Sequence, residues 1–172
     1  LDRFLFFSRA AAEAVRVMGF KTVHCHDWHA AMIPFLLGKD RVKTVFTIHN
    51  IAYQGVFEAE AVNKLIGSDF KGTVNFMRNG IENADTVTTV SPNYAKEILT
   101  PEFGFGLESS LKARKKDLFG IINGIDPAQF SPENDGAIVK RYSAKDIKDK
   151  GTNKRELQRK CFGKSDKGVP VI

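Results

Sequence analysis

Apolar residues recur along the chain with two different periods, one typical of helices and one typical of strands. Phe7, Ala11, Val15 and Met18 lie at helical spacing and predict an amphipathic helix over residues 3–18. Four short apolar runs rich in β-branched residues predict strands, "KTVHC", "VKTVFTIHN", "ADTVTTVSP" and "LFGIINGID". Helical segments alternate with these strands, so the pattern predicts an α/β fold, a parallel sheet with helices on both faces.

The segments between the predicted strands carry the usual signals of helix starts and turns. Asp27 is predicted to cap a helix in which Pro34 introduces a kink, and Ser91 is predicted to cap another. We expect residues 51–70 to be irregular and residues 72–83 to form a helix. "NKRELQRKCFG" predicts a last helix near the end of the chain.

Each of the four predicted strands ends in polar residues. The first ends in "HDWH", the second in "HN", the third in "SP" and the fourth in "NG". Ligands of open α/β sheets bind just beyond the carboxyl ends of the strands. The order of these residues therefore predicts a small-molecule site at one edge of the sheet.

Composition narrows the class of protein. The chain has 172 residues, 42% of them hydrophobic and 27% charged, which is typical of a globular protein. It contains no run of eighteen apolar residues, so we expect no membrane segment. Two cysteines are too few for a disulfide scaffold and fit a reducing compartment.

The positive net charge of +6 is concentrated in one part of the chain. Residues 140–172 hold 11 basic and 4 acidic side chains, whereas residues 1–139 hold 15 and 16. A nucleic-acid-binding tail would need aromatic stacking groups among the basic ones, and this segment lacks such a set. We therefore predict a solvated helix face or linker and no nucleic-acid partner.

Three histidines in "KTVHCHDWH" raise the alternative of a metal site, as in a metal-dependent hydrolase. His24 and His26 would share one face of a strand, while Cys25 would point to the other face. No second Cys or His pair with metal-ligand spacing completes a tetrahedral set, so we predict no metal. We interpret Cys25 as a buried, unreactive thiol rather than a nucleophile.

The polar strand ends carry the groups that bind sugars through hydrogen bonds and a flat aromatic face. These groups are Asp27, Trp28, Asn50, Tyr53, Gln54 and Asn123. His49, at the end of the second strand, can donate a hydrogen bond or stabilise charge at a reacting centre.

Five segments, in their order along the chain, resemble the glycogen and starch synthases: "HCHDWHAAMIP", "VFTIHNIAYQGVF", "ADTVTTVSPNYAKEILTPEFGFGLES", "GIINGIDPAQFSPEND" and "NKRELQRKCFG". The resemblance implies a Rossmann-like domain of a two-domain GT-B glycosyltransferase that is retaining and metal-independent. It implies transfer of glucose from ADP-glucose, the donor substrate, to the non-reducing end of an α-1,4-glucan acceptor, without a cofactor.

The resemblance also implies roles for individual residues. His49 corresponds to a catalytic histidine that contacts the donor glucose and stabilises developing charge. Asp27 and Trp28 correspond to residues lining the glucose and acceptor pocket, and Asn123 to an asparagine near the donor sugar. Asn50 lies beside the catalytic histidine, and Tyr53 and Gln54 are expected to be supporting residues.

In the family, a Lys-x-Gly-Gly loop and a second domain meet the donor phosphates, and the present sequence contains neither. We expect residues 1–135 to be the second half of the acceptor-side domain, 136–168 a basic connection and 169–172 the start of the nucleotide-binding domain. We expect the isolated chain to be inactive, and the compartment to be a bacterial cytoplasm or a plastid stroma. A UDP-glucose-dependent GT-B enzyme and a non-catalytic carbohydrate-binding module remain alternatives.

Overall fold

The computed structural model describes residues 1–38, 40 and 42–171. The strands are β1 Thr22–His26, β2 Lys43–Ile48, β3 Val56–Glu58, β4 Thr73–Asn75, β5 Thr86–Thr89 and β6 Leu118–Gly120. The helices are α1 Asp2–Met18, α2 Asp27–Ala30, α3 Met32–Leu37, α4 Ala59–Ile66, α5 Phe76–Asn83, α6 Pro92–Glu97, α7 Pro101–Gly104, α8 Glu108–Ala113 and α9 Lys150–Phe162, with a 3₁₀ turn at Lys115–Asp117.

The main sheet has four strands in the order β1-β2-β5-β6, and all of its pairs are parallel. The parallel α/β fold expected from the alternating pattern is confirmed. Because parallel strands place their carboxyl ends on one edge, the segments that follow β1, β2, β5 and β6 all leave the same edge of the sheet.

One face of this sheet forms the apolar core. Cys25, Phe46, Ile48 and Val87 lie on it and are almost fully buried. Helix α5 approaches Phe46 so closely that a Cβ atom on Gly80 would lie 2.6 Å from the phenylalanine ring. A glycine is required at this point because no other residue leaves room for the ring.

The opposite face of the same strands is polar. The alternation of side chains along β1 and β2 places His24, His26 and Thr47 there, and β5 adds Thr88. His24 and His26 are exposed, whereas Thr47 and Thr88 are buried. The polar residues on this face of the strands are therefore continuous with the polar residues that follow β1 and β2.

Two expectations for the middle of the chain were wrong. Residues 51–70 are not irregular, because they contain β3 and helix α4. Residues 72–83 are not helical throughout, since their beginning is β4, which pairs antiparallel with β3. Strands of three residues are too short to display an alternating pattern, and the pairing of β3 with β4 joins residues separated by a whole helix.

The segment after β1 also differs from the prediction. The expected single helix is divided at Ala31 into α2 and α3, and Asp27 does not cap it through its side chain. Asp27 instead has a φ of 52°, in the left-handed region. The predicted cap at Ser91 is confirmed, because its hydroxyl accepts a hydrogen bond of 2.9 Å from the backbone N–H of Tyr94.

The chain divides into two compact units, Leu1–Asn123 and a second unit from Gly124 onward. The second unit contains helix α9, where Gln158 is buried and donates a hydrogen bond to the carbonyl of Val169. The predicted domain boundary at residue 135 falls within the second unit and stays a prediction. Among the residues described, no helix combines the length and the apolar character needed to cross a membrane.

Candidate functional site

The carboxylate of Asp27 holds the turn that follows β2. Its Oδ1 atom accepts a hydrogen bond of 2.8 Å from the backbone N–H of His49 and a longer one of 3.4 Å from that of Asn50. These bonds connect the carboxyl end of β1 to that of β2. The predicted site residues Asp27, His49 and Asn50 are therefore brought together, with the aspartate as the anchor.

The backbone conformation of Asp27 is unusual for a residue other than glycine. Its φ of 52° costs on the order of 1 kcal/mol in an L-residue, less for aspartate than for most side chains. Strained residues persist where the surrounding structure holds them, and such residues cluster at functional sites. The hydrogen bonds from the backbone of His49 and Asn50, at the end of β2, supply that constraint for Asp27.

A row of three histidines runs along the polar face to this turn. His24 and His26 stack with ring centroids 4.2 Å apart, and the rings of His26 and His49 are 5.2 Å apart. Nδ1 of His26 lies 3.0 Å from Nε2 of His49, a hydrogen-bond distance. The imidazole of the predicted catalytic residue therefore has a direct partner on the neighbouring strand.

At the other end of the histidine row, the ring of His24 is hydrogen-bonded to a side chain of the neighbouring strand. Nε2 of His24 lies 2.6 Å from the hydroxyl of Thr47, which in turn lies 2.5 Å from that of Thr88. Burial of the ring, helped by the neighbouring His24 and His49, lowers the pKa of His26, while Asp27 opposes the shift. Across the described residues, no three His, Cys, Asp or Glu side chains are grouped to hold a metal ion.

The tryptophan of the "HDWH" motif packs within the protein on one side. A Cβ atom on Gly55 would lie 2.3 Å from Cε3 of Trp28, so the indole packs directly against this glycine. Phe4 meets the indole edge-on, with ring centroids 4.8 Å apart, and Phe57 lies 5.9 Å away. Gly55 is thus the residue that allows Trp28 to lie beside the turn after β2.

Gln54 uses both ends of its amide inside the protein. Its Nε2 donates a hydrogen bond of 2.9 Å to the carbonyl of Phe105, and its Oε1 accepts one of 2.5 Å from the side chain of Asn75. The residue thereby connects the turn after β2 to β4 and to the loop after α7. Tyr53, the adjacent residue, is 67% exposed and is free of the apolar core.

The two predicted asparagines are placed differently. Asn50 accepts a hydrogen bond of 3.0 Å at its Oδ1 from the backbone N–H of Ala52, which closes the turn on itself. Asn123 is exposed and lies at the end of the first unit, after β6. Within the described residues no hydrogen bond joins Asn123 to Asp27 or His49, and its role at the site stays a prediction.

The cysteine in the motif lies on the other face of the sheet. Cys25 is 1% exposed, and burial raises the pKa of its thiol to about 12. A thiol with such a pKa is protonated at neutral pH and is a poor nucleophile. The expected burial of Cys25 is confirmed.

Sequence reasoning missed three contributors to this region: His26, Asn75 and Phe105. His26 could have been identified, because it shares the strand face of His24 and directly precedes Asp27, the residue that anchors the turn. Phe105 has a φ of 49° and exposes 57% of its surface, in a loop whose carbonyl is bound by Gln54. Neither the left-handed conformation of Phe105 nor its contact with Gln54 has a signal in the sequence.

The fold and the site define a class of protein. It is a parallel α/β domain that presents imidazole, carboxylate, carboxamide and aromatic groups at the carboxyl edge of its sheet, where such domains bind small molecules. Residues 1–113 match the family described as the starch synthase catalytic domain. The chain belongs to this family, as the resemblance of its motifs predicted.

Relatives and a solved structure agree with this assignment. The chain is 46% identical over 175 residues to a glycogen synthase of Thermodesulfovibrio yellowstonii, covering 91% of the chain and 35% of the relative. It is 42% identical over 189 residues to glycogen synthase 2 of Geobacter metallireducens, covering 99% and 39%. The catalytic domain of starch synthase IV from Arabidopsis thaliana, bound to ADP and acarbose, matches with a TM-score of 0.80 and 35% identity, over 92% of this chain and 36% of that one. The chain therefore spans between a third and two fifths of the length of these proteins.

Proposed function

We propose that this chain forms the acceptor-side part of a retaining glucosyltransferase, which transfers glucose from ADP-glucose to the non-reducing end of an α-1,4-glucan. The observation that carries the proposal is the anchored turn at the carboxyl edge of the sheet, where Asp27 holds the backbone of His49 and Asn50. The turn belongs to a chain of the starch synthase family. The proposed sugar donor and the non-reducing end of the proposed glucan acceptor are polar groups that such an edge can bind.

We assign the catalytic role to His49. As glucose leaves the donor, positive charge develops on the sugar ring, and a fixed polar group aimed at that charge stabilises the transition state. Asp27 keeps the turn in place through Oδ1, and we assign its second oxygen, Oδ2, to a hydroxyl of the substrate. No metal ion or cofactor is needed in this scheme, since the leaving nucleotide diphosphate is stabilised by charged groups of the second domain.

We assign the acceptor to the aromatic side of the turn. Tyr53 is exposed, and sugar rings pack their apolar faces on flat aromatic side chains. Trp28 presents to the substrate only the part of its indole that its packing neighbours leave uncovered, namely Gly55, His29, Phe4 and Phe57. Gln54 acts as a supporting residue, because its amide is engaged by Asn75 and Phe105. Asn123 is assigned to the donor sugar on the strength of the "NGID" motif.

We propose ADP-glucose as the donor. The support for this choice is that the matched structure of starch synthase IV is bound to ADP. A UDP-glucose-dependent enzyme is the alternative within the same fold. The test is an assay of nucleotide release by the full-length protein with glycogen as primer, supplied in parallel with ADP-glucose and UDP-glucose. Turnover with ADP-glucose supports the proposal, and turnover with UDP-glucose alone would assign the other donor.

The same assay tests His49. We expect His49→Ala to lower kcat by on the order of 10²-fold or more, the scale of losing one preorganised polar group. Lys64→Ala, an exposed change on helix α4, is the control and should leave kcat unchanged. Circular dichroism of both variants checks the fold, and equal activity of His49→Ala and the parent would remove His49 from the mechanism.

We also propose that the 172 residues alone do not catalyse transfer and that the full-length protein works in a bacterial cytoplasm or a plastid stroma. Co-sedimentation with glycogen, measured together with nucleotide release, distinguishes an enzyme from a carbohydrate-binding module. Binding of glycogen by the full-length protein without nucleotide release would favour the module. Nucleotide release by the isolated chain would contradict the expected inactivity.

A further inference from the structure

His26 is placed next to His49 by the register of the first two strands. In the pairing of β1 with β2, His26 lies opposite Thr47, so His49 is two residues further along on the same face. Side chains on the same face of neighbouring strands are close enough for aromatic rings to meet. The 3.0 Å separation of Nδ1 of His26 and Nε2 of His49 shows that the two imidazoles use this opportunity.

A hydrogen bond between two ring nitrogens allows only certain proton arrangements. One nitrogen must carry the hydrogen and the other must be free to accept it, so His26 and His49 cannot both be protonated at these atoms. When both rings are neutral, one proton lies between Nδ1 of His26 and Nε2 of His49. This hydrogen bond can persist after one ring binds an additional proton at its other nitrogen. A second added proton would place two like charges about 3 Å apart and break the bond.

We propose that His26 is a positioning residue for His49, and that its Nδ1 atom sets the orientation and the protonation of the catalytic imidazole. The catalytic consequence rests on the proposed function, whereas the proton arrangement does not. Because Nε2 of His49 is engaged by His26, the remaining ring nitrogen of His49, Nδ1, is the one available to the substrate.

The surroundings of His26 favour a neutral ring. The titratable groups that face it are His24, stacked on one side, His49 on the neighbouring strand and Asp27, the next residue in the chain. Partial burial of the ring is the main cause that disfavours a charge on His26; the two histidines add to it, and Asp27 opposes them.

Two substitutions of equal shape separate a hydrogen-bonding role from simple packing. His26→Asn keeps a polar atom at the position of Nδ1, two bonds from Cβ, and can still bond His49. His26→Leu has the same branching but no polar atom. ¹⁵N-labelled histidine in the 172-residue chain reports the tautomer and the titration of each ring by NMR.

We expect the two rings to titrate as a coupled pair in the unsubstituted chain, with the second protonation displaced to lower pH. In His26→Leu, His49 should titrate alone in one step, and the ¹⁵N shift of its Nε2 should change. Independent titration of the two rings in the unsubstituted chain would overturn the proposal, and this measurement stands even if His26→Leu does not fold. An unchanged Nε2 shift of His49 in a folded His26→Leu chain would overturn it as well.

Kinetics of the full-length protein test the catalytic consequence. We expect His26→Leu to lower kcat about tenfold or more, with a smaller effect on KM. This loss is part of the rate enhancement that a positioned polar or proton-transfer group contributes. His26→Asn should recover most of kcat and should shift the acid limb of the pH profile. Equal kcat values for the Leu and Asn variants would contradict a role through the hydrogen bond. Absence of turnover in the unsubstituted protein would instead count against the proposed function, and the NMR result would still decide the role of His26.

Discussion

Asp27 bonds the backbone of His49 across the carboxyl ends of two neighbouring strands, with 2.8 Å between its Oδ1 atom and the N–H. The aspartate adopts a left-handed backbone conformation to do so. The candidate site therefore depends on a carboxylate whose position is set by one strand and whose contacts are on the next. A loss of this bond should release the turn that carries His49.

Replacing Asp27 tests the anchor through stability. Asp27→Ala removes the acceptor and places alanine in a left-handed conformation, so we expect a loss of about 2 kcal/mol in the free energy of unfolding. Asp27→Asn keeps an acceptor oxygen and tolerates this conformation, so it should cost less than about 1 kcal/mol. Urea unfolding of the 172-residue chain measures both. Equal losses in the two variants would argue against the anchor.

Gly55 tests the packing of Trp28. Gly55→Ala adds a methyl group 2.3 Å from the indole at a φ of 62°, so we expect a loss of about 2–4 kcal/mol, part from backbone strain and part from overpacking. Gly67 is the matched control, because its φ is 69° and nothing lies within 4 Å of an added Cβ atom. Gly67→Ala should cost about 1 kcal/mol, from strain alone.

The indole itself reports the outcome, since Trp28 is the single tryptophan of the chain. Displacement of the ring from Gly55 should shift its fluorescence maximum in Gly55→Ala and leave that of Gly67→Ala unchanged. Identical spectra and identical unfolding free energies in the two variants would show that the contact with Trp28 contributes nothing beyond the strain of the glycine conformation.

The outcome for Trp28 shows where prediction from the sequence ended. The four main strands were predictable because each lies in a short run of apolar and β-branched residues. The convergence of their polar ends followed from parallel topology. The face that Trp28 presents was not predictable, because it depends on the close approach of Gly55 from another part of the chain. The bond between His26 and His49 depends in the same way on the register of β1 and β2, which no local pattern specifies.

The contrast between the two cysteines gives a chemical test of the sheet. Burial raises the pKa of Cys25 to about 12, so at pH 8 only about one thiol in ten thousand is ionised. Cys161 is exposed. A thiol reagent at pH 8 should therefore modify one cysteine in the native chain and two after denaturation. Modification of both at similar rates in the native chain would contradict the burial of Cys25 beneath the sheet.

The acid sensitivity of the fold should depend on Asp85, which lies just before β5. The backbone N–H and the hydroxyl of Thr44 both donate hydrogen bonds to its Oδ2 atom, at 2.7 and 2.9 Å. The backbone hydrogen bond is the main cause of a lowered pKa of Asp85. The hydroxyl bond and the positive charges of Lys43 and Arg114 contribute in the same direction, while burial opposes them. These contacts tie the start of β5 to the start of β2.

A carboxyl whose pKa is lower in the folded state than in the unfolded state stabilises the fold above its unfolded pKa, near 4. That contribution is lost as the pH falls through the folded-state value, because the protonated carboxyl no longer attracts the Thr44 donors and the two cations as strongly. Asp85→Asn lacks the ionisation, so it should be less stable than the unsubstituted chain at pH 7. The difference should narrow steadily between pH 5 and pH 2. Urea midpoints of the two chains across this range measure the effect, and a difference that stays constant with pH would show that the charge of Asp85 does not hold β5 to β2.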